Sequence, residues 1–350
     1  MNNSLINHNY FLSQKVQNDI FAIICAKKIY SILIGGPIGL GKRNFVLKLA
    51  KFILCNLECV KEINLDIFTE NKFNFDQLKS TKSFHLFDNN SHPDFFYLHD
   101  EEKKTGKNIP IENVRKFKNF FYKTESISRV KIGIIDTIED LSLNSQNILL
   151  KTIEELPQSS YLFIISNDPA NILETIKSRC TFFYVNSLGK SNFNKFLCDT
   201  FMDKSEEEIQ FITNISFGSP GMAENIINGD IFVFYQNLLD DLIKSFGKLH
   251  LSENVSDALN KKDNIFLINI MDLIINDLIK KTAFYIEHQK YIDYTLDKEK
   301  KLIQKILNNK NTNQILDLQS QINKNMHLAN VLNLNKSDIL SASLKELSSI

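Results

Sequence analysis

Residues 36–42, with the sequence GPIGLGK, have the types and spacing of a loop that binds phosphate groups. They fit the pattern G-x-x-x-x-G-K, in which backbone N–H groups close around phosphate oxygens and the lysine reaches the terminal phosphates. The residues expected to make these contacts are Gly36, Gly39, Gly41 and Lys42. The alternative is a glycine-rich turn that binds no ligand. An apolar run precedes the motif and a helical pattern follows it, which favours phosphate-loop ancestry.

Two positions of this predicted site lack the chemistry for magnesium-dependent hydrolysis. The residue after the lysine is normally Ser or Thr, whose hydroxyl binds Mg²⁺, but this chain has Arg43. Asp136 ends an apolar run, as does the Mg²⁺-binding carboxylate of phosphate-loop ATPases, although a cap at a strand end is the alternative. In the AAA+ branch of these ATPases a Glu normally follows and polarises the attacking water. Here Thr137 follows, and Glu139 and Asp140 are expected to point elsewhere from a turn.

The elements that would position these residues alternate between strands and helices in the first half of the chain. Four short apolar runs, separated by helical patterns, predict strands at 29–34, 130–135, 161–165 and 182–185. Such alternation predicts an α/β fold with a parallel sheet covered on both faces. After residue 187 the strand signals stop and helical patterns continue to the end. We therefore expect three domains: an α/β phosphate-loop domain at 1–187, a three-helix domain at 188–230 and a larger helical domain at 231–350.

Composition sets limits on function. The chain has 350 residues, and 43% of them are hydrophobic, which is enough to bury a core and excludes global disorder. Lys and Arg together number 41, as do Asp and Glu, so no whole-chain field draws it to nucleic acid or to a membrane. Contact with either must come from a local patch or from partner chains.

Cysteine content and the N-terminal residues predict a cytoplasmic chain. The five cysteines are few and odd in number, which is typical of free thiols in a reducing compartment. The residues after Met1 are polar and lack the apolar segment of a secretory signal, and the apolar stretch at 266–286 is too polar for a membrane span. Cys55 and Cys59 lie one helical turn apart, which favours a buried helix face over a zinc site, so we predict no metal.

Further motifs follow the phosphate loop in a fixed order. They are His-Pro-Asp at 92–94, LLKTIEE at 149–155, Ser-Arg-Cys at 178–180 and Gly-Ser-Pro-Gly at 218–221. Together they resemble the bacterial DNA polymerase III clamp-loader family, most of all its delta-prime type of subunit. The resemblance covers about residues 30–225. It implies an AAA+ module with a small helical lid at 188–230, followed by a helical collar at 231–350.

The resemblance gives Arg179 a specific role. In this family the Arg of Ser-Arg-Cys is an arginine finger, which projects into the ATP site of a neighbouring subunit and stabilises charge on the γ-phosphate. The alternative is a solvated Arg at a helix end, favoured by the helix dipole. ATPase members resembling the motor subunit carry an Arg near the position of Gly221, where it senses nucleotide. Arg43, Thr137 and Gly221 replace residues that hydrolysis needs, while Arg179 is retained. Together they predict a subunit that contributes to the ATP site of its neighbour.

The resemblance therefore implies a non-catalytic clamp-loader subunit without a nucleotide cofactor of its own. Its implied partners are the gamma/tau ATPase subunits, which hold ATP and Mg²⁺, and the delta subunit. The sliding clamp and primer–template DNA would be met through the assembled complex. Two alternatives stay open: an active gamma/tau-like motor of the same machine, and an unrelated phosphate-loop kinase.

Overall fold

The computed structural model divides the chain into two compact units. The first contains residues 1–188 together with Ser219–Gly221, and the second contains residues 189–218 and 222–350. A lid and a collar as separate parts of the second unit stay a prediction. The structure describes residues 12–26, 30–59, 75, 78–100, 109–244, 252, 255–257, 265–292, 295–309, 314–315, 317, 320–322, 324–325 and 336–348.

The first unit is built on a five-stranded parallel sheet. Its strands lie side by side in the order β2-β3-β4-β1-β5, so the strand that leads into the phosphate loop has a neighbour on each side. The strands are β1 (Ser31–Gly35), β2 (Phe95–His99), β3 (Lys131–Asp136), β4 (Ser160–Ser166) and β5 (Thr181–Tyr184). The predicted α/β class with a parallel sheet, followed by a helical region, is confirmed.

Among the described residues of this unit, six α-helices accompany the sheet. They are α1 (Gln14–Cys25), α2 (Lys42–Cys59), α3 (Lys82–Asp88), α4 (Ile111–Phe121), α5 (Leu143–Glu154) and α6 (Glu174–Lys177). Successive side chains of β1 enter different cores, as the two-residue period of a strand requires. Ile32 and Ile34 pack with the α2 side of the sheet, and Leu33 packs with the α4 and α5 side. Both faces of the sheet are therefore buried, and the polar residues at the strand ends meet at one edge.

Two helical segments of this unit differ from the sequence-based expectation. The motif analysis did not predict α1, although Ser13 caps it and Ile20 and Ile24 recur at helical spacing on its buried face. The sequence before Ser-Arg-Cys predicts one helix over 170–177, but the structure has two segments there, a 3₁₀ turn at Pro169–Asn171 and then α6. The break occurs because Ile172 is extended and places its side chain in the core.

The second unit is helical wherever the structure describes its secondary structure. Its helices are α7 (Lys190–Thr200), α8 (Glu206–Ser216), α9 (Pro220–Asn228, whose first two residues belong to the first unit), α10 (Ile231–Lys244), α11 (Ile265–His288), α12 (Asp297–Asn309) and α13 (Lys336–Ser348). The first three correspond to the predicted short helices. Within the described ranges, the model contains no helix with the length and apolar character needed to cross a membrane.

A buried ionic network ties three helices of the second unit together. The ammonium group of Lys281 on α11 lies 2.8 Å from both carboxylate oxygens of Glu299 on α12. Tyr235 on α10 donates to the same carboxylate at 2.5 Å, and the backbone N–H of Leu296 donates at 2.8 Å. Lys281 and Glu299 are almost completely buried. Lys281 also pairs with Asp277 of its own helix at 2.7 Å, so the buried charges depend on their ionic partners for the compensation that water would otherwise give.

Candidate functional site

The phosphate loop connects the end of β1 to the start of α2, as the sequence predicts. Gly36, Gly39 and Gly41 all have positive φ angles, of 148°, 81° and 75°. A Cβ atom at Gly36 would lie 2.2 Å from the carbonyl oxygen of Val185, so only glycine fits there. The loop thus has the backbone shape that a phosphate cradle needs. That this loop binds nucleotide weakly or not at all stays a prediction.

Lys42 is turned onto the loop itself. Its ammonium group donates to the carbonyl oxygens of Gly36 and Pro37, both at 2.6 Å, and its side chain is buried. Burial lowers the pKa of Lys42 to about 8, against the opposing effect of the Glu139 and Asp136 carboxylates. The cation expected to reach terminal phosphates is therefore bonded to backbone oxygens of its own chain.

Arg43 and Asp136 form an ion pair where an active ATPase of this class would hold Mg²⁺. The Nε of Arg43 donates to Oδ2 of Asp136, and the hydroxyl of Tyr97 donates to the same oxygen at 2.5 Å. Burial and the Asp136 charge raise the pKa of Tyr97, which keeps the phenol protonated as a donor. The carboxylate is therefore held by a cation and a phenol of its own chain. These residues do not fit a magnesium ion, since no hydroxyl ligand follows Lys42 and a guanidinium stands beside the carboxylate.

Glu139 corrects an expectation about the turn after β3. The sequence suggested that Glu139 and Asp140 point elsewhere, but Oε1 of Glu139 accepts hydrogen bonds at the end of β4. The donors are Ser166 Oγ at 2.5 Å, Asn167 N at 3.1 Å and Asp168 N at 3.0 Å.

The local reason for the Glu139 orientation is a capping box. The side chain of Asp140 accepts from the backbone N–H and the hydroxyl of Thr137, at 3.3 and 3.1 Å, and this fixes the 3₁₀ turn Ile138–Asp140. A pattern of Thr with Asp three residues later could have predicted the turn. The position of Glu139 depends on the neighbouring strand and has no local signal.

The Gly-Ser-Pro-Gly segment contacts the phosphate loop within the first unit. Ser219 Oγ donates to the carbonyl oxygen of Ile38 at 2.7 Å. The backbone N–H of Gly221 donates to the carbonyl oxygen of Gly39 at 2.9 Å. A Cβ atom at Gly221 would lie 2.8 Å from the same Gly39 oxygen. Gly221 therefore permits the close approach of two backbones, a role that the motif analysis did not predict.

Arg179 makes a separate set of contacts. Its Nε donates to Oε1 of Glu154 at 2.5 Å, and its Nη1 donates to the carbonyl oxygen of Thr175 at 3.0 Å and, at the long distance of 3.4 Å, to Ser178 Oγ. The side chain is 39% exposed. Cys180, the next residue, packs against the core, and burial raises the pKa of its thiol to about 12. The Ser-Arg-Cys motif thus places its thiol inward and its guanidinium at the surface.

His92 and Asp94 form a buried polar cluster just before β2. The Nε2 of His92 lies 2.9 Å from Ser83 Oγ and 3.2 Å from Ser128 Oγ, and burial lowers the pKa of this histidine. The carboxylate of Asp94 accepts the backbone N–H groups of 126–128. These contacts support a structural role for His-Pro-Asp.

The cysteines expected to line a helix face are placed on α2. Cys55 is a free, buried thiol, and the side chain of Cys59 lies outside the described residues. Among the side chains that the structure describes, no group of three or more Cys, His, Asp or Glu is arranged to hold a metal ion.

Comparison with known proteins identifies relatives of this chain. It is 28% identical over 201 residues to DNA polymerase III subunit delta' of Pseudomonas aeruginosa, an alignment that covers 57% of this chain and 56% of that protein. The delta' subunit of Buchnera aphidicola subsp. Acyrthosiphon pisum is 24% identical to this chain, in an alignment that covers 91% of this chain and 90% of that protein. The gamma subunit of Buchnera aphidicola subsp. Schizaphis graminum is 32% identical to this chain, in an alignment that covers 37% of this chain and 36% of that protein.

The chain spans less than two thirds of the length of two delta' relatives, 56% of the Pseudomonas aeruginosa subunit and 64% of the subunit of Buchnera aphidicola subsp. Baizongia pistaciae. The family model described as "DNA polymerase III, delta subunit" matches residues 13–189, which is just over half of the chain. That segment contains the whole parallel sheet, the phosphate loop and Arg179. The chain therefore belongs to the DNA polymerase III clamp-loader family whose model carries this description.

Proposed function

We propose that this chain is a non-catalytic, delta-prime-like subunit of the DNA polymerase III clamp loader. The observation that carries the proposal is the ion pair between Arg43 and Asp136. The pair supports the proposal, because a guanidinium bonded to Asp136 disfavours the magnesium ion that hydrolysis at this site would need. The hydrogen bonds of Lys42 and Glu139 within the chain agree with this conclusion.

The chemical contribution of the chain is then Arg179, offered to ATP on a neighbouring ATPase subunit. A guanidinium stays charged at every physiological pH and presents several N–H donors in a rigid plane. Placed against a γ-phosphate, it stabilises the charge that develops on the equatorial oxygens during transfer. The surface position of Arg179 makes it accessible to a second chain.

The assembly in which this occurs is proposed from the names of the relatives. They are delta' and gamma subunits of DNA polymerase III. We propose gamma/tau ATPase subunits and a delta subunit as direct partners, with ATP and Mg²⁺ bound by the neighbours. The assembled loader would open the sliding clamp and place it on primer–template DNA during replication, in the cytoplasm.

The test is replacement of Arg179 in the full chain, reconstituted with its cognate loader subunits. We expect Arg179→Ala to slow DNA-stimulated ATP hydrolysis and clamp loading by at least about tenfold, because an arginine finger contributes strongly to phosphoryl transfer. Arg179→Lys should recover little, since an ammonium lacks the planar fork.

Lys177→Ala is the matched control, because it removes a cation two residues away that pairs with Glu174 at the surface. We expect it to load at the native rate. Native loading by Arg179→Ala, with the subunit assembled in normal amount, would refute the role of Arg179.

One observation favours the active-motor alternative, namely the similarity to a gamma subunit. That alternative requires the isolated chain to bind and hydrolyse Mg·ATP. It predicts that Lys42→Ala, which removes the loop cation, abolishes turnover by the chain alone.

A further inference from the structure

Two of the three guanidinium nitrogens of Arg179 donate hydrogen bonds within the chain. Nε is bonded to the Glu154 carboxylate and Nη1 to the carbonyl of Thr175, with Ser178 Oγ as a weaker third partner. Within the described part of the chain, no hydrogen bond is recorded for Nη2. An arginine side chain carries five N–H donors, two of them on Nη2. The two N–H donors of Nη2 therefore stay available to another molecule.

The contact with Glu154 is unlike one that would sequester the arginine. A carboxylate that neutralises an arginine fully takes two nitrogens of the fork in a bidentate pair. Here a single oxygen of Glu154 meets the single N–H of Nε, the nitrogen nearest the side-chain stem. The bond restricts the orientation of the guanidinium plane and does not use the donors of Nη2.

The position of Glu154 in its helix points to the same role. It is the last residue of α5. An acidic side chain there is disfavoured by the negative end of the helix dipole, so Glu154 does not serve the stability of its own helix. The Thr175 carbonyl belongs to the short helix α6, whose last carbonyl groups lack partners within the helix. Arg179 thus bonds to acceptors supplied by the ends of two helices.

We propose that Glu154 is a positioning residue, which holds the Arg179 guanidinium in the orientation that a phosphate group on a neighbouring chain can accept. The inference rests on the proposed function, because it assigns Glu154 a part in the action of Arg179. Both side chains are substantially exposed, 39% for Arg179 and 45% for Glu154, and an exposed pair of this kind contributes little to folding. Its effect is on the rotamers of Arg179, where misplacement of a reacting group is costly.

The experiment measures ATP hydrolysis by the full chain reconstituted with its cognate loader subunits, clamp and primed DNA. We expect Glu154→Ala to lower kcat by about fivefold with little change in KM for ATP, because the finger is still present but less well directed. Glu154→Gln keeps an oxygen acceptor and should retain most of the native kcat. The double variant Glu154→Ala, Arg179→Ala should be no slower than Arg179→Ala alone, since Glu154 acts through the arginine.

Glu155→Ala is the matched control, because it removes the same charge one residue later, where the partner is the hydroxyl of Tyr122. It should leave kcat unchanged. If Arg179→Ala is slow and Glu154→Ala is native, the positioning role is wrong and the proposed function stands. A Glu154→Ala variant with a higher kcat than the native chain would mean that Glu154 holds Arg179 back from the neighbouring site, and would also overturn the inference. If Arg179→Ala itself is native, the proposed function fails and the inference fails with it.

Discussion

At the scale of single residues, the site is described best by its balance of charges. Two cations, Lys42 and Arg43, lie with two carboxylates, Asp136 and Glu139, and the cations are bonded to oxygens of the chain itself. In an active site of this class, phosphate oxygens and Mg²⁺ would share these groups. A site neutralised internally gives a triphosphate few unpaired charges to bind.

Asp94 makes a prediction at the same scale. Its buried carboxylate accepts three backbone N–H groups at 2.7–3.0 Å, and these bonds, against the opposite effect of burial, lower its pKa below the usual 3.8. Asp94→Asn should lower the free energy of unfolding by about 3 kcal/mol at pH 7, because an amide has one acceptor oxygen and no charge.

The pH dependence of this loss follows from the direction of the Asp94 pKa shift. The stability that the carboxylate gives is fully present above the unfolded pKa of 3.8, and it is lost as pH falls through the lower pKa of the folded state. Urea unfolding followed by circular dichroism should show a difference between native chain and variant that is constant well above pH 3.8 and shrinks as the pH falls below that value. A difference that is absent at pH 7, or constant down to pH 3, would contradict this account.

Residue chemistry read from the sequence located only part of the site. Lys42, Arg43 and Asp136 lie in motifs whose spacing defines their roles, and the structure brings all three to one edge of the sheet. Tyr97 and Glu139 join them through the register of neighbouring strands. Tyr97 pairs with Ile134 on β3, two residues before Asp136. Such a neighbour depends on strand order, which no local pattern encodes.

At the scale of elements, Gly221 lies against the phosphate loop within the first unit. We predict that Gly221→Ala lowers the free energy of unfolding by about 1–3 kcal/mol, because the added Cβ would meet the Gly39 backbone at 2.8–2.9 Å. The backbone must move apart to make room for this Cβ, which also weakens the hydrogen bonds from Gly221 and Ser219 to the loop.

Gly189→Ala provides the control for this variant, since a Cβ at Gly189 would have no neighbour within 4 Å. Its midpoint in urea should equal or slightly exceed that of the native chain. Equal midpoints for the two variants would show that the loop contact contributes nothing to stability.

Element prediction succeeded where a pattern was local. Strands β1, β3, β4 and β5 were apparent from short apolar runs, and the helices after residue 187 from their spacing. The break between Pro169–Asn171 and α6 was not apparent, because Ile172 leaves the helical conformation to fill a core formed by distant residues.

At the scale of the whole molecule, each of the two units has its own means of stabilisation. In the second unit, Glu299→Ala should cost about 3 kcal/mol, because it removes the buried carboxylate that faces Lys281 and leaves the ammonium paired with Asp277. The double variant Lys281→Met, Glu299→Leu should recover much of that loss, since it removes both charges. Thermal unfolding followed by circular dichroism measures both. Equal losses in the single and double variants would contradict the dependence of these buried charges on their ionic partners.

The most direct test of the central claim is calorimetric titration of Mg·ATP into the isolated full chain, with phosphate release followed in the same sample. The account predicts no turnover, and heats of binding that are weak or absent, because the cations and the carboxylate of the site are bonded within the chain. Micromolar binding with turnover that Lys42→Ala abolishes would contradict it, and would make the chain a motor instead of a donor to its neighbour.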